Sequence, residues 1–185
     1  MQNSHTPMII LIGESASGKT TVQKQMSNAG IRKVITYTTR PPREKEKDGV
    51  DYHFVSDEIF NEMIRNGEFI EHASYRGWQY GTAADSCGKE NTVAALTPAG
   101  LRAIQKQNIS HVSVYLNVDR RSRLIKLLQR GDDIEEAYRR SLSDVGQFDA
   151  VDREVDIVIK NTGYQYGVPS IVRQILDEIT KQNPD

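Results

Sequence analysis

Residues 8–20 read Met-Ile-Ile-Leu-Ile-Gly-Glu-Ser-Ala-Ser-Gly-Lys-Thr. The first five are apolar and predict a buried strand, and the next eight match the pattern G-x-x-x-x-G-K-[ST] at every fixed position. A helical pattern then runs from Thr20 to Asn28 and stops at Gly30. Because a strand precedes the glycines and a helix follows them, we interpret residues 13–20 as a phosphate loop rather than a chance glycine- and serine-rich turn.

The residue types in this phosphate loop predict how it binds a nucleoside triphosphate. Gly13 and Gly18 allow backbone angles that point successive N–H groups at phosphate oxygens, and a helix beginning near Gly18 adds its positive end. Lys19 supplies a mobile charge for the bridging phosphates, and the Thr20 hydroxyl can hold Mg²⁺. We therefore predict that a nucleoside triphosphate and Mg²⁺ bind here. The predicted contacts are Gly13, Glu14, Ser15, Ala16, Ser17, Gly18, Lys19, Thr20 and Thr21.

The composition describes an ordinary globular chain without a general affinity for polyanions. It has 185 residues, of which 37% are hydrophobic and 26% charged, and this suits a single domain. The net charge of −1 implies no general attraction to nucleic acid or to an anionic membrane, so we predict neither as a partner. Apolar runs are too short to span a bilayer. The sequence leaves the oligomeric state open.

The cysteine, the N-terminal residues and the histidines bear on the cellular location and on metal binding. Cys87 is the single cysteine, which excludes an internal disulfide and fits a reducing compartment. Residues 1–7 are polar and do not resemble a signal peptide, so we predict a cytoplasmic location. The histidines, at positions 5, 53, 72 and 111, show no metal-ligand spacing.

Strand and helix patterns alternate along most of the chain. Further apolar runs predict strands at 33–37, 92–96, 112–118 and 155–159. Helical patterns occupy 98–107, 120–130, 134–148 and 168–181. This alternation predicts an α/β fold with a parallel sheet covered on both faces. Ligands in such sheets bind beyond the carboxyl ends of the strands, where the phosphate loop lies.

Residues 38–85 interrupt the alternation. Strand-like segments at 51–55 and 69–75 flank a helix at 57–65, with Ser56 as its N-cap and Gly67 after its end. We predict a small, partly antiparallel lobe inserted into an α/β core that consists of residues 8–37 and 86–185.

The lobe begins with Thr38-Thr39-Arg40-Pro41-Pro42-Arg43. Proline fixes φ and keeps this segment extended, so the two arginines keep a defined spacing. Guanidinium groups match phosphate oxygens with paired hydrogen bonds. The alternative interpretation is that Arg40 and Arg43 are surface residues, ion-paired with the acids at 44–48.

Three further motifs follow in order: Asp51-Tyr52-His53-Phe54, Gly67-Glu68-Phe69-Ile70-Glu71 and Tyr80-Gly81-Thr82. With the phosphate loop ahead of them, the chain resembles the guanylate kinase family from Met8 to its C-terminal helix. The resemblance implies a P-loop three-layer sandwich in a single domain, 1–185, with a nucleotide-monophosphate-binding lobe and a helical lid at about 130–148. It also implies transfer of the γ-phosphoryl group of ATP to GMP or dGMP.

The resemblance assigns roles to individual residues of the lobe. Arg40, Arg43, Tyr52 and Tyr80 match residues that hold the acceptor phosphate, and Glu71 matches the residue that reads guanine. Hydroxyls at Thr36 and Thr82 assist Glu71, and Gly81 lies within the same motif. Guanine presents two adjacent donors to one carboxylate, whereas adenine lacks both, so Glu71 predicts rejection of AMP. The alternative for Glu71 is an exposed strand carboxylate.

The lid implied by the resemblance brings arginines to the transferring phosphates. Arg130 matches one of them, and the sequence leaves open whether Arg139 or Arg140 supplies the other. We include Arg140 with Lys19, Arg40, Arg43 and Arg130 in the predicted catalytic set. The alternative is a solvated helix with Glu135–Arg139 and Glu136–Arg140 ion pairs.

The chain departs from the family in three places. The usual D-I-D-V-Q-G run corresponds to residues 95–100, where Ala95 replaces an acid near Mg²⁺ and Thr97 replaces an acid that assists guanine recognition. Ser141 aligns with the usual lid arginine. These departures predict a slower or less selective guanylate kinase, or a changed acceptor.

Two other functions are compatible with the same fold. One is a kinase for a phosphosugar or another nucleotide, which Tyr52, Glu71 and the 80–82 motif disfavour. The other is a non-catalytic module that binds phosphopeptides, which the intact phosphate loop disfavours.

Overall fold

The computed structural model describes residues 7–75, 77–87, 91–107 and 109–182. The interpretation of residues 1–7 therefore lies, apart from Pro7, outside the described residues. The strands are β1 (Met8–Ile12), β2 (Arg32–Lys33), β3 (Tyr37–Thr38), β4 (His53–Phe54), β5 (Phe69–Tyr75), β6 (Trp78–Ala83), β7 (Thr92–Ala95), β8 (His111–Asn117) and β9 (Ile157–Lys160). The helices are α1 (Lys19–Asn28), α2 (Asp57–Arg65), α3 (Pro98–Lys106), α4 (Arg120–Gln129), α5 (Ile134–Ser143) and α6 (Val168–Gln182).

The core is a parallel sheet with strand order β2-β7-β1-β8-β9. Every residue of β1 is buried, because the strand is central and helices cover both faces. Ile9 and Leu11 face α1 and α6, whereas Ile10 faces α3. The predicted α/β class with a parallel sheet is confirmed.

The second sheet has the order β4-β3-β6-β5 and mixes parallel and antiparallel pairs. Helix α2 lies between β4 and β5 in the chain and has the predicted bounds and cap, since Ser56 Oγ accepts a hydrogen bond from Ile59 N at 3.3 Å. Phe60 and Met63 are its buried face. The strand β6 was not predicted.

Two predicted elements were wrong in extent. The run 33–37 is not one strand, because the chain leaves the core sheet after Lys33 and joins the second sheet at Tyr37. The helix predicted at 134–148 ends at Ser143, and a turn with a left-handed Gly146 follows. Other predicted ends differ from the structure by one or two residues. Among the described residues, no helix is both long and apolar enough to cross a membrane.

Candidate active site

A cavity of about 740 Å³ lies where the phosphate loop, the second sheet and helices α4 and α5 meet. Most predicted site residues line it. They are Gly13, Ser15, Ala16, Ser17, Gly18, Lys19, Thr20, Thr21, Thr36, Arg40, Arg43, Tyr52, Glu71, Tyr80, Gly81, Arg130 and Arg140. Glu14 and Thr82 do not line the cavity. One cavity therefore joins the residues predicted to bind the donor and those predicted to bind the acceptor, although they lie far apart in the chain.

The phosphate loop has the geometry of an anion-binding cradle. Gly18 adopts φ 100° at the N-cap of α1, a conformation that favours glycine. A β-carbon at Gly13 would lie 2.4 Å from Ser17 Oγ and 3.0 Å from the carbonyl oxygen of Leu116, so only glycine fits. Ser17 Oγ is buried without a hydrogen-bond partner in the described part of the chain. A phosphate oxygen would satisfy it.

Lys19 is held beside this cradle by backbone oxygens. Its ammonium group donates to the carbonyl oxygens of Gly13 and Glu14, the second at 3.1 Å. Both of these acceptors are carbonyl oxygens, and Lys19 lines the cavity. This position suits the charge that the sequence assigns to Lys19.

Thr20 is the residue that the sequence predicts as a ligand for Mg²⁺. Thr20, the second residue of α1, is exposed and lines the cavity. Ala95, at the end of β7, also lines the cavity but has no side-chain oxygen. Across the four described ranges, no group of three or more His, Cys, Asp or Glu side chains is arranged to hold a metal ion. Thr20 with phosphate oxygens and water is nevertheless a donor set that suits Mg²⁺, which retains several water ligands in many nucleotide sites.

The side chain of Glu14 is turned away from the cavity. Its carboxylate lies 3.3 Å from the Arg123 guanidinium and accepts a hydrogen bond from the Tyr115 hydroxyl at 3.1 Å. Burial, together with the Glu14 charge, raises the pKa of Tyr115. The Glu14 carboxylate is thus part of the support beneath the loop. Two like charges would repel if it faced phosphate, which gives a physical reason for this orientation.

On the acceptor side, Glu46 pairs with both arginines of the Pro-Pro segment. Its carboxylate accepts from Arg40 at 2.8 and 3.0 Å and from Arg43 Nη1 at 3.4 Å. The Arg40 guanidinium also lies 5.3 Å from the centre of the Tyr52 ring. The ion pairs considered as the alternative are therefore present, yet both arginines still line the cavity with Tyr52 and Tyr80.

Glu71 is a buried carboxylate, with 5% of its surface exposed, and it lines the cavity. The exposed-strand alternative for this residue is therefore wrong. Burial raises the pKa of Glu71 to about 7, although a hydrogen bond from the Thr82 hydroxyl acts in the opposite direction. The Thr82 hydroxyl contacts Glu71 without lining the cavity, whereas Thr36 lines the cavity itself.

Thr97, which replaces a family acid, has a structural role at the start of α3. Its hydroxyl accepts a hydrogen bond from Gly100 N at 3.1 Å and caps the helix. Thr97 also lines the cavity. The position is therefore both a helix cap and part of the wall near Glu71.

The arginines of the predicted lid line the cavity but differ in burial. Arg140 is 5% exposed and pairs with Asp132, and its Nε lies 3.8 Å from Glu136. Arg139 is exposed and pairs with Glu136 at 2.7 Å. The solvated-helix alternative was therefore wrong in giving Arg139 the partner Glu135, because the ion pair joins residues three apart rather than four. Arg130 Nη2 lies 3.4 Å from Asp132.

Sequence reasoning missed the wall formed by the segment after β9 and by α4. Tyr164 donates a hydrogen bond from its hydroxyl to the Ala16 carbonyl at 2.7 Å, and Lys126 Nζ lies 5.7 Å from the centre of the Tyr164 ring. Asn161 and Tyr166 line the same region. The expectation that ligands bind beyond the carboxyl ends of parallel strands could have identified it, because this segment follows the last strand.

Comparisons of the sequence and of the fold with known proteins agree on one family. A family model described as guanylate kinase matches residues 5–178. The chain is 34% identical to a guanylate kinase of Nitrosococcus oceani over 85% of this chain and 82% of that protein. It is 31% identical to one of Prochlorococcus marinus subsp. pastoris, over 91% and 94%. Its fold resembles the crystal structure of guanylate kinase from Anaplasma phagocytophilum, with a TM-score of 0.69, 21% identity and coverage of 99% and 89%.

Proposed function

This chain belongs to the guanylate kinase family, and we propose from this premise that it transfers the γ-phosphoryl group of ATP to GMP or dGMP, giving ADP and GDP or dGDP. The observation that carries the proposal is the shared cavity, which is lined both by the phosphate loop and by Glu71 with Arg40 and Arg43. The relatives named above are guanylate kinases, and a cavity with two phosphate-binding sets and a base-reading carboxylate suits GMP as the acceptor.

The proposed reaction is a direct displacement. An oxygen of the GMP phosphate attacks the γ-phosphorus, the bond from that phosphorus to the β,γ-bridging oxygen breaks, and ADP leaves with the electron pair. The two reacting anions repel one another, so Lys19, Arg40 and Arg43 would lower the barrier by neutralising and positioning them. Arg130 and Arg140 would add positive charge from the lid side.

Selection of guanine is proposed to depend on Glu71. Its ionised carboxylate would accept hydrogen bonds from both N1–H and the 2-amino group, so with adenine the buried carboxylate would keep the Thr82 hydroxyl but lack both donors of the base. Thr82 holds the Glu71 carboxylate in place. This arrangement would discriminate against AMP without the second acid of the family, which is Thr97 here.

Thr20 is the side chain proposed to hold Mg²⁺. When bound, the ion would draw charge from the β- and γ-phosphate oxygens. Thr20 would hold it together with phosphate and water, because Ala95 has no side-chain oxygen to contribute.

A cytoplasmic location also stays a prediction, which is supported by Cys87 as the single cysteine of the sequence.

The direct test is a coupled assay of ADP release with GMP, dGMP, AMP, UMP, CMP and a phosphosugar as acceptors. We expect turnover with GMP and dGMP and little with the others. Lys19→Ala should lower kcat by about 10²–10³, because it removes charge from the transferring group. Lys24→Ala, which changes an exposed lysine of the same helix, is the matched control. Equal turnover of AMP or UMP would contradict the proposal.

The alternative acceptors are not favoured. The relatives described above are named guanylate kinases, and the phosphate loop that scaffold modules lack is intact in geometry as well as sequence. A phosphosugar would also leave Glu71 without its base. The panel assay tests these alternatives directly.

A further inference from the structure

Asp144 lies just after α5 and joins three separate parts of the molecule. It is 4% exposed. Its carboxylate accepts from the backbone N–H of Ser15 at 3.0 Å, from the Ser15 hydroxyl at 3.5 Å and from the Tyr75 hydroxyl. Arg123 of α4 donates to it at 3.3 Å. One buried carboxylate therefore contacts the phosphate loop, the second sheet and α4.

Tyr75 connects Asp144 to the hairpin of the second sheet. Tyr75 is the last residue of β5, pairs with Trp78 at the end of the hairpin, and lines the cavity. The same sheet carries Glu71 and Tyr80, which are on the proposed acceptor side. The Tyr75–Asp144 hydrogen bond thus fixes the end of the acceptor-side hairpin against the residue that also holds the phosphate loop.

The same network holds two consecutive residues of the phosphate loop. Arg123 binds the Glu14 carboxylate at 3.3 Å as well as Asp144, and Asp144 binds Ser15. Hydrogen bonds to ionised groups are strong, and a buried carboxylate that loses a donor is penalised. Displacement of the hairpin relative to the loop would break one of these bonds. The positions of the two are therefore energetically linked.

We propose that Asp144 is a positioning residue that couples acceptor binding to donor binding through the series Tyr75–Asp144–Ser15. An acceptor that orders the second sheet favours the Tyr75–Asp144 bond, and this bond favours the arrangement of Ser15 seen here. Donor binding to the loop has the reciprocal effect on acceptor affinity, as linkage requires. The inference rests on the proposed function, since it uses GMP as acceptor and ATP as donor.

The test measures the Kd of GMP by calorimetry with and without a saturating, non-hydrolysable ATP analogue and Mg²⁺. For the unmodified chain, the analogue should tighten GMP binding by about 5-fold or more, within the usual range of coupling between sites. Tyr75→Phe removes one hydroxyl and should bring the ratio of the two Kd values close to one. Tyr138→Phe removes the same group from an exposed residue of α5 and should leave the ratio unchanged.

Asp144→Asn is the second variant. It should also reduce the ratio, because it weakens the interactions with Arg123 and Tyr75. If Asp144→Asn does not fold, Tyr75→Phe still decides the question. An unchanged ratio in folded Tyr75→Phe overturns the coupling, as does a ratio of one in the unmodified chain. Failure of the unmodified chain to bind GMP at all overturns the proposed function, and the coupling with it.

Discussion

Gly100, at the start of α3, lies directly against the carboxylate of Glu71: a β-carbon at Gly100 would come within 2.7 Å of Glu71 Oε2. The family stretch that this chain alters at Ala95 and Thr97 thus still ends in a glycine that is required by close packing. The carboxylate proposed to read guanine is held between Gly100 on one side and the Thr82 hydroxyl on the other.

Gly100→Ala is predicted to impair acceptor binding. Because the added methyl group displaces the Glu71 carboxylate, we expect the KM for GMP to rise by about tenfold, equivalent to about 1.4 kcal/mol. The KM for ATP should change little. Steady-state kinetics with each substrate varied in turn measures both, and Ala99→Ser, at an exposed position of the same helix, is the control. An unchanged KM for GMP would show that Glu71 is not positioned by this contact.

The elevated pKa of Glu71 predicts a pH-dependent affinity for GMP. Guanine needs the ionised carboxylate, and with a pKa of about 7 the ionised fraction falls as the pH is lowered. We expect kcat/KM for GMP to be about tenfold lower at pH 6 than at pH 8. The GMP phosphate titrates in the same region, so Glu71→Gln serves as the control, and its profile should lack the contribution of Glu71. Superimposable profiles would contradict this prediction.

The same ionisation predicts that Glu71 destabilises the folded chain at neutral and higher pH. A folded-state pKa of about 7 lies above the ordinary value of 4.5, so the protonated form favours folding below pH 4.5 and this contribution is lost as the pH rises through 7. Over this pH range the unfolding free energy should fall by about 3 kcal/mol because of Glu71.

Glu71→Gln removes this titration. Relative to the unmodified chain, the variant should gain unfolding free energy between pH 5 and pH 8, and urea unfolding at both values measures the gain. Glu62→Gln, at an exposed position of α2, is the control. A difference between the two chains that does not grow with pH would contradict the buried, ionisable character of Glu71.

Burial separates the two candidate lid arginines. Arg140 is 5% exposed and held by Asp132 and Glu136, whereas Arg139 is exposed. We expect Arg140→Ala to lower kcat by about 10²-fold and Arg139→Ala by less than about threefold, because an ordered charge inside the cavity stabilises the transition state more than a solvated one. Thermal unfolding of both variants distinguishes a loss of kcat from a loss of fold. A larger effect at Arg139 would reverse the assignment.

Sequence predicted those features whose causes act over short distances in the chain. The buried strand and the phosphate loop follow from five apolar residues and two spaced glycines, and α2 has the bounds indicated by Ser56 and Gly67. For Arg40 and Arg43, ion pairing with a nearby acid was one of the two interpretations that the sequence offered. It could be anticipated because Glu46 is close to both in the sequence. The split of 33–37 was not predictable, since one apolar run can serve either of two sheets.

By itself, the sequence determined the α/β class, the phosphate loop and the family, because glycine geometry, helix capping and apolar periodicity are properties of short segments. Only the tertiary structure decided that Asp144, 129 residues from Ser15 and 69 from Tyr75, would hold both, and that Gly100 would lie against Glu71. The physical reason is that the partner of a buried carboxylate is chosen by packing, which brings distant segments within hydrogen-bond distance and leaves no signal in the local sequence.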